Sequence, residues 1–375
     1  MGVAPKVRER LGRGGARAAP EEIQTTPNGP WRLRVLTIDP RRAAGHLRAT
    51  YGEDVARVET TTTMAEAAGA VAGTNGGFFS ARAAAPGRGD PVGLAVHAGV
   101  VESEPTTYAP ETHFLLDASS NTARITKLRW RGAITHPPSR TFVRLDHINQ
   151  APVAPSGCGP DGEVLRCLQP GEVSVFTKSW GRRTPAGTGV EVVLGPDGCV
   201  VGTATSLGTT LRPGQSSVQA TGLHALPLLE LALLGCLDRT DTLTDPDGVR
   251  VPLSPSTFAV NGRYVLLRDG EVVVPAGRGS FVTGRHPRTV AGVTGDGRVM
   301  LMTIDGRSRT SVGVTLHEAA AVARSLGMVE AVNLDGGGST TMSVNGHPSG
   351  KPSDGRERDV GDALVYVPVP WQPES

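Results

Sequence analysis

A chain of 375 residues with 38 basic and 36 acidic side chains, formal net charge +2, offers no global field for a nucleic acid or an anionic membrane surface. An anionic ligand therefore has to be held locally. Hydrophobic residues at 38% and charged residues at 20% are ordinary for a globular chain able to bury a full core, while 49 Gly and 29 Pro favour a turn-rich enzyme over a helical bundle.

In chain order, residues 1–30 mix Arg, Gly, Pro and Thr without periodicity and read as a disordered basic arm. Met1 to Ala19 has no apolar central region, so no complete secretory signal is visible in it. Trp31 to Asp39 alternates as a half-buried strand does, and Pro40 ends it. Thr63 to Ala72 reads as a short Ala-rich helix feeding Asn75-Gly76-Gly77-Phe78-Phe79. Gly93 to Val101, Phe114 to Leu116 and Ala123 to Trp130 read as short strands, broken in a way that suggests antiparallel pairing.

Residues 151–255 hold all four cysteines, Cys158, Cys167, Cys199 and Cys236, with strands expected at Val173 to Thr177 and Val190 to Leu194. An even cysteine number without a CxxC or Cys/His metal pattern leaves disulfides and free buried thiols both open. The longest apolar stretch, Leu223 to Leu237, is interrupted by His224, Pro227 and Glu230, is too short to span a bilayer, and reads as a buried helix.

From Phe258 the pattern tightens. Ala259 to Val274 reads as strand, turn and strand, and Arg298 to Asp305 as a buried strand. Thr315 to Leu326 is the clearest amphipathic helix, capped by Thr315 and ended by Gly327; a strand at Glu330 to Leu334 then delivers Asp335. The expected fold is α+β: a mixed, largely antiparallel sheet packed with helices. It forms a single catalytic domain from residues 31–150 and 256–370, with 151–255 as an inserted loop-rich subdomain.

Asp335-Gly336-Gly337-Gly338-Ser339-Thr340-Thr341 places an acid, bare backbone amides and three hydroxyls around one point, a pattern able to cradle an anion. Taken alone, such a string is more often a tight turn. Its company raises its weight. Asp305-Gly306-Arg307 ends a strand of what would be the same sheet, where ligand crevices form. Gly284 to Thr289 adds Arg285, His286 and Arg288 in one polar loop, with Arg suited to bidentate phosphate contact. His286 by itself reads as structural. Asn75 offers an amide for sugar hydroxyls, and of Phe78 and Phe79 at least one belongs in the core.

The motifs NGGFF at 75–79, RHPRT at 285–289, DGR at 305–307, VNLDGGGSTTM at 332–342 and RDVGDALVYV at 358–367 together resemble the phosphodiester glycosidase domain family, which includes N-acetylglucosamine-1-phosphodiester α-N-acetylglucosaminidase. The resemblance implies a hydrolase that splits a sugar-1-phosphodiester into free sugar and a phosphomonoester. It implies Asp335 and Asp305 as the catalytic carboxylates, in roles left unassigned, and Asn75, Arg285, Arg307, Gly336 to Gly338, Ser339, Thr340 and Thr341 as substrate and phosphate contacts. It also implies a bacterial protein of the cell envelope or exterior, while the lack of a visible secretory signal keeps the cytoplasm open. No cofactor is assigned; a divalent cation stays open, with Asp305, Asp335 and Asp359 as its oxygen donors, although a charge partner for a pocket Arg is the favoured role of Asp359. The competing classes are a phosphodiesterase cleaving P–O and a non-catalytic glycopolymer-binding module. The expected partner is the sugar-phosphodiester substrate, with no nucleic acid and no membrane span.

Overall fold

A computed structural model describes residues 16–26, 29–81, 87–159, 164–277 and 279–373, with side chains left aside over 17–26. The chain is mostly β. Six sheets of seven, five, five, five, four and two strands account for the order among these residues. The helices are short: α1 (Thr61–Ala67), α2 (Ala225–Ala232), α3 (Ser280–Thr283) and α4 (Leu316–Ser325).

This corrects the expected α+β fold of a sheet packed with helices. Three motifs read as helices do form, but α4, the longest, has only 10 residues, so most sheet surface has to be covered by other sheets and by connections. Antiparallel pairing holds throughout, apart from the short parallel contact between His147–Ile148 and Val173–Phe176. No helix among the described residues is long and apolar enough to cross a membrane.

The seven-stranded sheet runs Ala16–Thr26, Gly29–Ile38, Val299–Ile304, Arg288–Thr294, Met328–Asn333, Val265–Arg268 and Glu271–Val272. Its first strand corrects the expectation of a disordered arm to residue 30: Ala16–Thr26 pairs with Gly29–Ile38. Residues 1–15 lie outside the described set. On one face of this sheet α4 buries Leu316, Ala319, Ala320 and Ala323, the stripe its period dictates. The cap is a complete capping box: the Thr315 side chain accepts from the Glu318 amide and Glu318 returns the bond.

A five-stranded sheet, His347–Pro348, Met342–Val344, Ala72–Asn75, Ala363–Val367 and His46–Thr50, packs against the seven-stranded one through Leu36, Leu301, Leu334, Leu364 and Tyr366. The glycine turn at 335–341 is the passage from Met328–Asn333 in the first sheet to Met342–Val344 in the second.

Two further sheets arise between Arg129 and Val251. Arg129–His136 pairs with Asp238–Thr244, and Val173–Phe176 and Val190–Leu194 flank Ser216–Ala220. They share one apolar cluster with α2. Helix α2 is not wholly buried as expected: Ala225, Leu228, Leu231 and Ala232 face the core, while Leu226 is 47% and Leu233 just beyond the helix 86% exposed. The thiols are resolved as two disulfides, Cys158–Cys167 and Cys199–Cys236, with no free cysteine.

Candidate active site

Strand register builds the site. Ala363 pairs with Asn75 in the five-stranded sheet, so the residue before Ala363, Asp362, falls beside the residue after Asn75, Gly76. The Gly77 amide donates to the Asp362 carboxylate at 2.7 Å and the Gly76 amide to the Asp362 carbonyl at 3.0 Å. Gly76 must be glycine, since a Cβ there would meet the Asp362 carboxylate oxygen at 2.5 Å. From the other side, the Asp335 amide donates to the Gly76 carbonyl at 3.2 Å. The Asn75-Gly76-Gly77 backbone is thus wedged between two acids, Asp335 and Asp362.

Asp335 is crowded on nearly every side yet keeps part of its surface open, as a group at the floor of a cleft does. Burial raises its proton affinity, against which the Ser339 hydroxyl, the Gly336 amide and the charges of Arg358 and Arg263 favour the carboxylate. Asp362 is 3% exposed and its second carboxylate oxygen has no partner. Its pKa is pushed up to about 7, chiefly by burial and further by the negative charge of Asp335, despite the Gly77 amide. Burial thus makes both acids hold a proton more tightly than a free Asp, and Asp335 has the hydroxyl and guanidinium partners that favour its charged form.

Asp362 is not among the residues expected from the sequence. Its signal is the RDVGD motif directly before the buried strand Ala363–Val367, an acid at a strand's start and not at a strand's end. Arg263 and Arg358 are additions of the same kind. Arg263 lies over the Phe78 ring at 4.2 Å and the Tyr108 ring at 5.2 Å, so an aromatic wall borders Asp335; Phe281 continues it, 6.2 Å from Phe78 and stacked on Tyr264. Phe78 itself is 9% exposed.

The expected residues divide into those the structure gathers at Asp335 and those it sets elsewhere. Asn75 is gathered, but as a staple. It is 1% exposed; its amide donates to the Asp335 carbonyl at 2.8 Å and its oxygen accepts from the Thr289 hydroxyl at 2.7 Å and the Thr341 amide at 3.2 Å. With its amide and its oxygen both bonded to protein, it positions the acid loop.

Gly336 and Gly337 are present at the acid, though not as an empty cradle. The Gly336 amide serves the Asp335 carboxylate, and the Gly337 amide donates to the Pro287 carbonyl at 2.9 Å. Gly337, at φ +65°, needs glycine to make the turn, and a side chain on Gly338 would overlap Asp354 and Arg358. Ser339 bonds Asp335, whereas the Thr340 and Thr341 hydroxyls are buried without partners and line a recess that also holds Asp305 and Lys351.

Arg307 reaches the glycine turn: its guanidinium comes 3.1 Å from where a Cβ on Gly337 would stand, and it donates to Asp354 at 3.0 Å. Its backbone holds φ +59°, the left-handed region that costs a non-glycine residue energy and recurs at functional turns. Asp305 is set differently. Buried Arg34 donates to its carboxylate at 2.8 Å, on the wall of an open cleft with Arg32, Arg307 and Lys351. The guanidinium next door gives it the setting of a charge partner.

Arg285 is turned to helix α4, donating to Glu318 at 2.5 Å. Arg288 is 2% exposed and donates to the Phe281 carbonyl at 2.6 Å, burial lowering its pKa to about 10. Burial and the Arg288 charge lower the proton affinity of His286, with Arg307 adding to the effect. Asp359 is exposed and pairs with Thr60 in a two-stranded ladder. Among the described residues no group of three or more His, Cys, Asp or Glu is placed to hold a metal ion, so Asp305, Asp335 and Asp359 do not form the cation site that the sequence left open.

Residues 185–367 match the family model for phosphodiester glycosidase, a span that includes Asp335 and Asp362 but not the Asn75 loop. N-acetylglucosamine-1-phosphodiester α-N-acetylglucosaminidase of Mus musculus is 30% identical over 116 residues, 28% of this chain and 22% of that protein. A prophage-derived uncharacterized protein of Bacillus subtilis is 41% identical over 81 residues, 22% of this chain and 13% of that one. The matches thus span under a quarter of these relatives' own length. The crystal structure of a putative exported protein from Burkholderia pseudomallei superposes with a TM-score of 0.72 at 29% identity, covering 90% of this chain and 74% of that one. Over residues 185–367, just under half of its length, this chain is similar to the phosphodiester glycosidase family.

Proposed function

We propose that the chain hydrolyses the bond between the anomeric carbon of a sugar and a phosphodiester, releasing free sugar and a phosphomonoester, with an N-acetylglucosamine-1-phosphodiester-like compound as substrate. The observation that carries this reading is the acid pair Asp335 and Asp362, joined through the Gly76–Gly77 backbone and flanked by Arg263 and Arg358. The family match supports the same reaction class.

Breaking the anomeric C–O bond develops positive charge on the sugar ring, which an ionised carboxylate stabilises. Asp335, held by the Ser339 hydroxyl and the Gly336 amide and partly open to solvent, is that carboxylate. Asp362 is a positioning residue: protonated, it spares Asp335 a second negative charge beside it, and it fixes the Gly77 turn. The departing phosphate is already a good leaving group, so the guanidiniums of Arg307 and Arg358 are asked for charge stabilisation more than for proton delivery. The exposed Tyr108 ring, with Arg263 held between it and Phe78, suits one face of the sugar ring.

Two disulfides support an oxidising location, the cell envelope or exterior. Residues 129–251, with their own two sheets, are the natural extent of the inserted subdomain. The test is free-sugar release from a panel of sugar-1-phosphodiesters, GlcNAc-α-phosphate esters included. Release by the native chain and its loss in Asp335→Asn support the proposal. No release from any member, or equal release by Asp335→Asn, contradicts it.

A further inference from the structure

Asp354 sits between the two guanidiniums closest to the glycine turn. One carboxylate oxygen accepts from Arg307 Nη1 at 3.0 Å and the other from Arg358 Nη2. The same carboxylate lies against the bare Cα of Gly338, at the place a side chain there would fill. An anion over unsubstituted backbone, gripped by two arginines, is the arrangement a bound phosphate takes.

We propose that Asp354 is a built-in stand-in for phosphate. Its carboxylate occupies the phosphoryl subsite formed by Arg307, Arg358 and the Gly337–Gly338 backbone, and an incoming phosphate displaces it. This rests on the reaction proposed above for the identity of the natural phosphate, but the subsite stands on its own geometry.

The segment that carries Asp354 is tied down only lightly over the turn. The Ser349 amide donates to the Met342 carbonyl at 2.6 Å, and the Ser353 hydroxyl to the Gly337 carbonyl at 3.3 Å. Asp354, Arg307 and Arg358 are 31%, 43% and 45% exposed, so solvent reaches the triad and each ion pair contributes little stability. A phosphomonoester brings more charge and three acceptor oxygens to the same two guanidiniums, which lets it win the exchange. With the diester it leaves Asp354 as a competitor, which weakens ground-state binding and shields the arginines until substrate arrives.

Equilibrium binding of inorganic phosphate to the full chain, measured by calorimetry, tests this without turnover. Asp354→Asn keeps the shape and removes the charge, and is expected to bind phosphate about tenfold or more tightly than the native chain. Adding Arg358→Gln to Asp354→Asn is expected to abolish the gain. Asp354→Ser serves as the second variant, with near-UV circular dichroism confirming native packing in each. Unchanged or weaker phosphate binding by the folded variants, or no binding by any of them, overturns the proposal. Sugar release is scored separately, so failure of the subsite and failure of the reaction are distinguishable.

Discussion

Asp335 and Asp362 are electrostatically joined: burial, and with it the charge on Asp335, pushes the Asp362 carboxyl up to about 7, while Asp335, itself raised by burial, keeps amide, hydroxyl and guanidinium partners that favour its charged form. The pair shares the backbone of Gly76 and Gly77.

The first prediction concerns pH. The rate profile of the native chain should show an inflection near pH 7 that belongs to the pair and disappears in Asp362→Asn. Stability follows with a definite sign. The folded chain holds the Asp362 proton up to about 7 whereas an unfolded Asp releases it near 3.8, so the folded state binds more protons in that window. The Asp362 contribution to stability therefore falls as pH rises from about 4 to about 7, and Asp362→Asn removes that fall, gaining a few kcal/mol relative to native above pH 7. Urea unfolding at pH 5 and pH 8 checks it; a variant no more stable relative to native at pH 8 than at pH 5 would count against the assignment.

Asn75 joins the two sheets' loops by three hydrogen bonds, two of them buried and one part-buried. Asn75→Ala should cost about 3 kcal/mol in unfolding free energy, because the Thr289 hydroxyl, the Thr341 amide and the Asp335 carbonyl lose a shared partner. It should also lower kcat by loosening Asp335, with KM changing less than kcat. An unaltered midpoint in urea would show that the amide does not hold the site.

Asp305 and Asp335 should part company under mutation. Asp335→Asn is expected to lower kcat/KM by about 10²–10⁴-fold with a native melting temperature. Asp305→Asn leaves the buried Arg34 guanidinium without its 2.8 Å carboxylate partner and should cost about 3 kcal/mol of stability first, with activity retained in the folded fraction. Paired melting and activity measurements decide between them.

The closed loops differ in length, with sequence separations of 37 for Cys199–Cys236 and 9 for Cys158–Cys167. Chain entropy predicts about 4 kcal/mol lost on replacing the first pair by Ser and about 3 kcal/mol for the second. Urea midpoints of the two double-Ser variants give the order.

The motif string in the sequence located the neighbourhood of the site well, because glycine turns and strand-end acids mark places where backbone must approach something closely. The amphipathic stripe and capping box of α4 were legible for the same local reason. Two things were not legible. Short helical periods suggested a helix-packed α+β fold, but whether sheets are covered by helices or by other sheets depends on which strands pair over long separations, such as Gly29–Ile38 with Val299–Ile304. And Val299–Ile304 and Met328–Asn333, on either side of Arg288–Thr294, do end at the same sheet edge, but the turn of the Asp305 carboxylate to Arg34 depends on a partner 271 residues away. In an antiparallel sheet the end of one strand meets the start of its neighbour, which is how Asn75 and Ala363 bring in Asp362.

The central claim, cleavage at the anomeric carbon, is tested most directly by running the hydrolysis of a GlcNAc-α-phosphate ester in oxygen-18 water and reading both products by mass spectrometry. Label in the hydroxyl of the released sugar is the predicted result. Label in the phosphate, with an unlabelled sugar, would mean that water attacks phosphorus and would contradict the role given to Asp335.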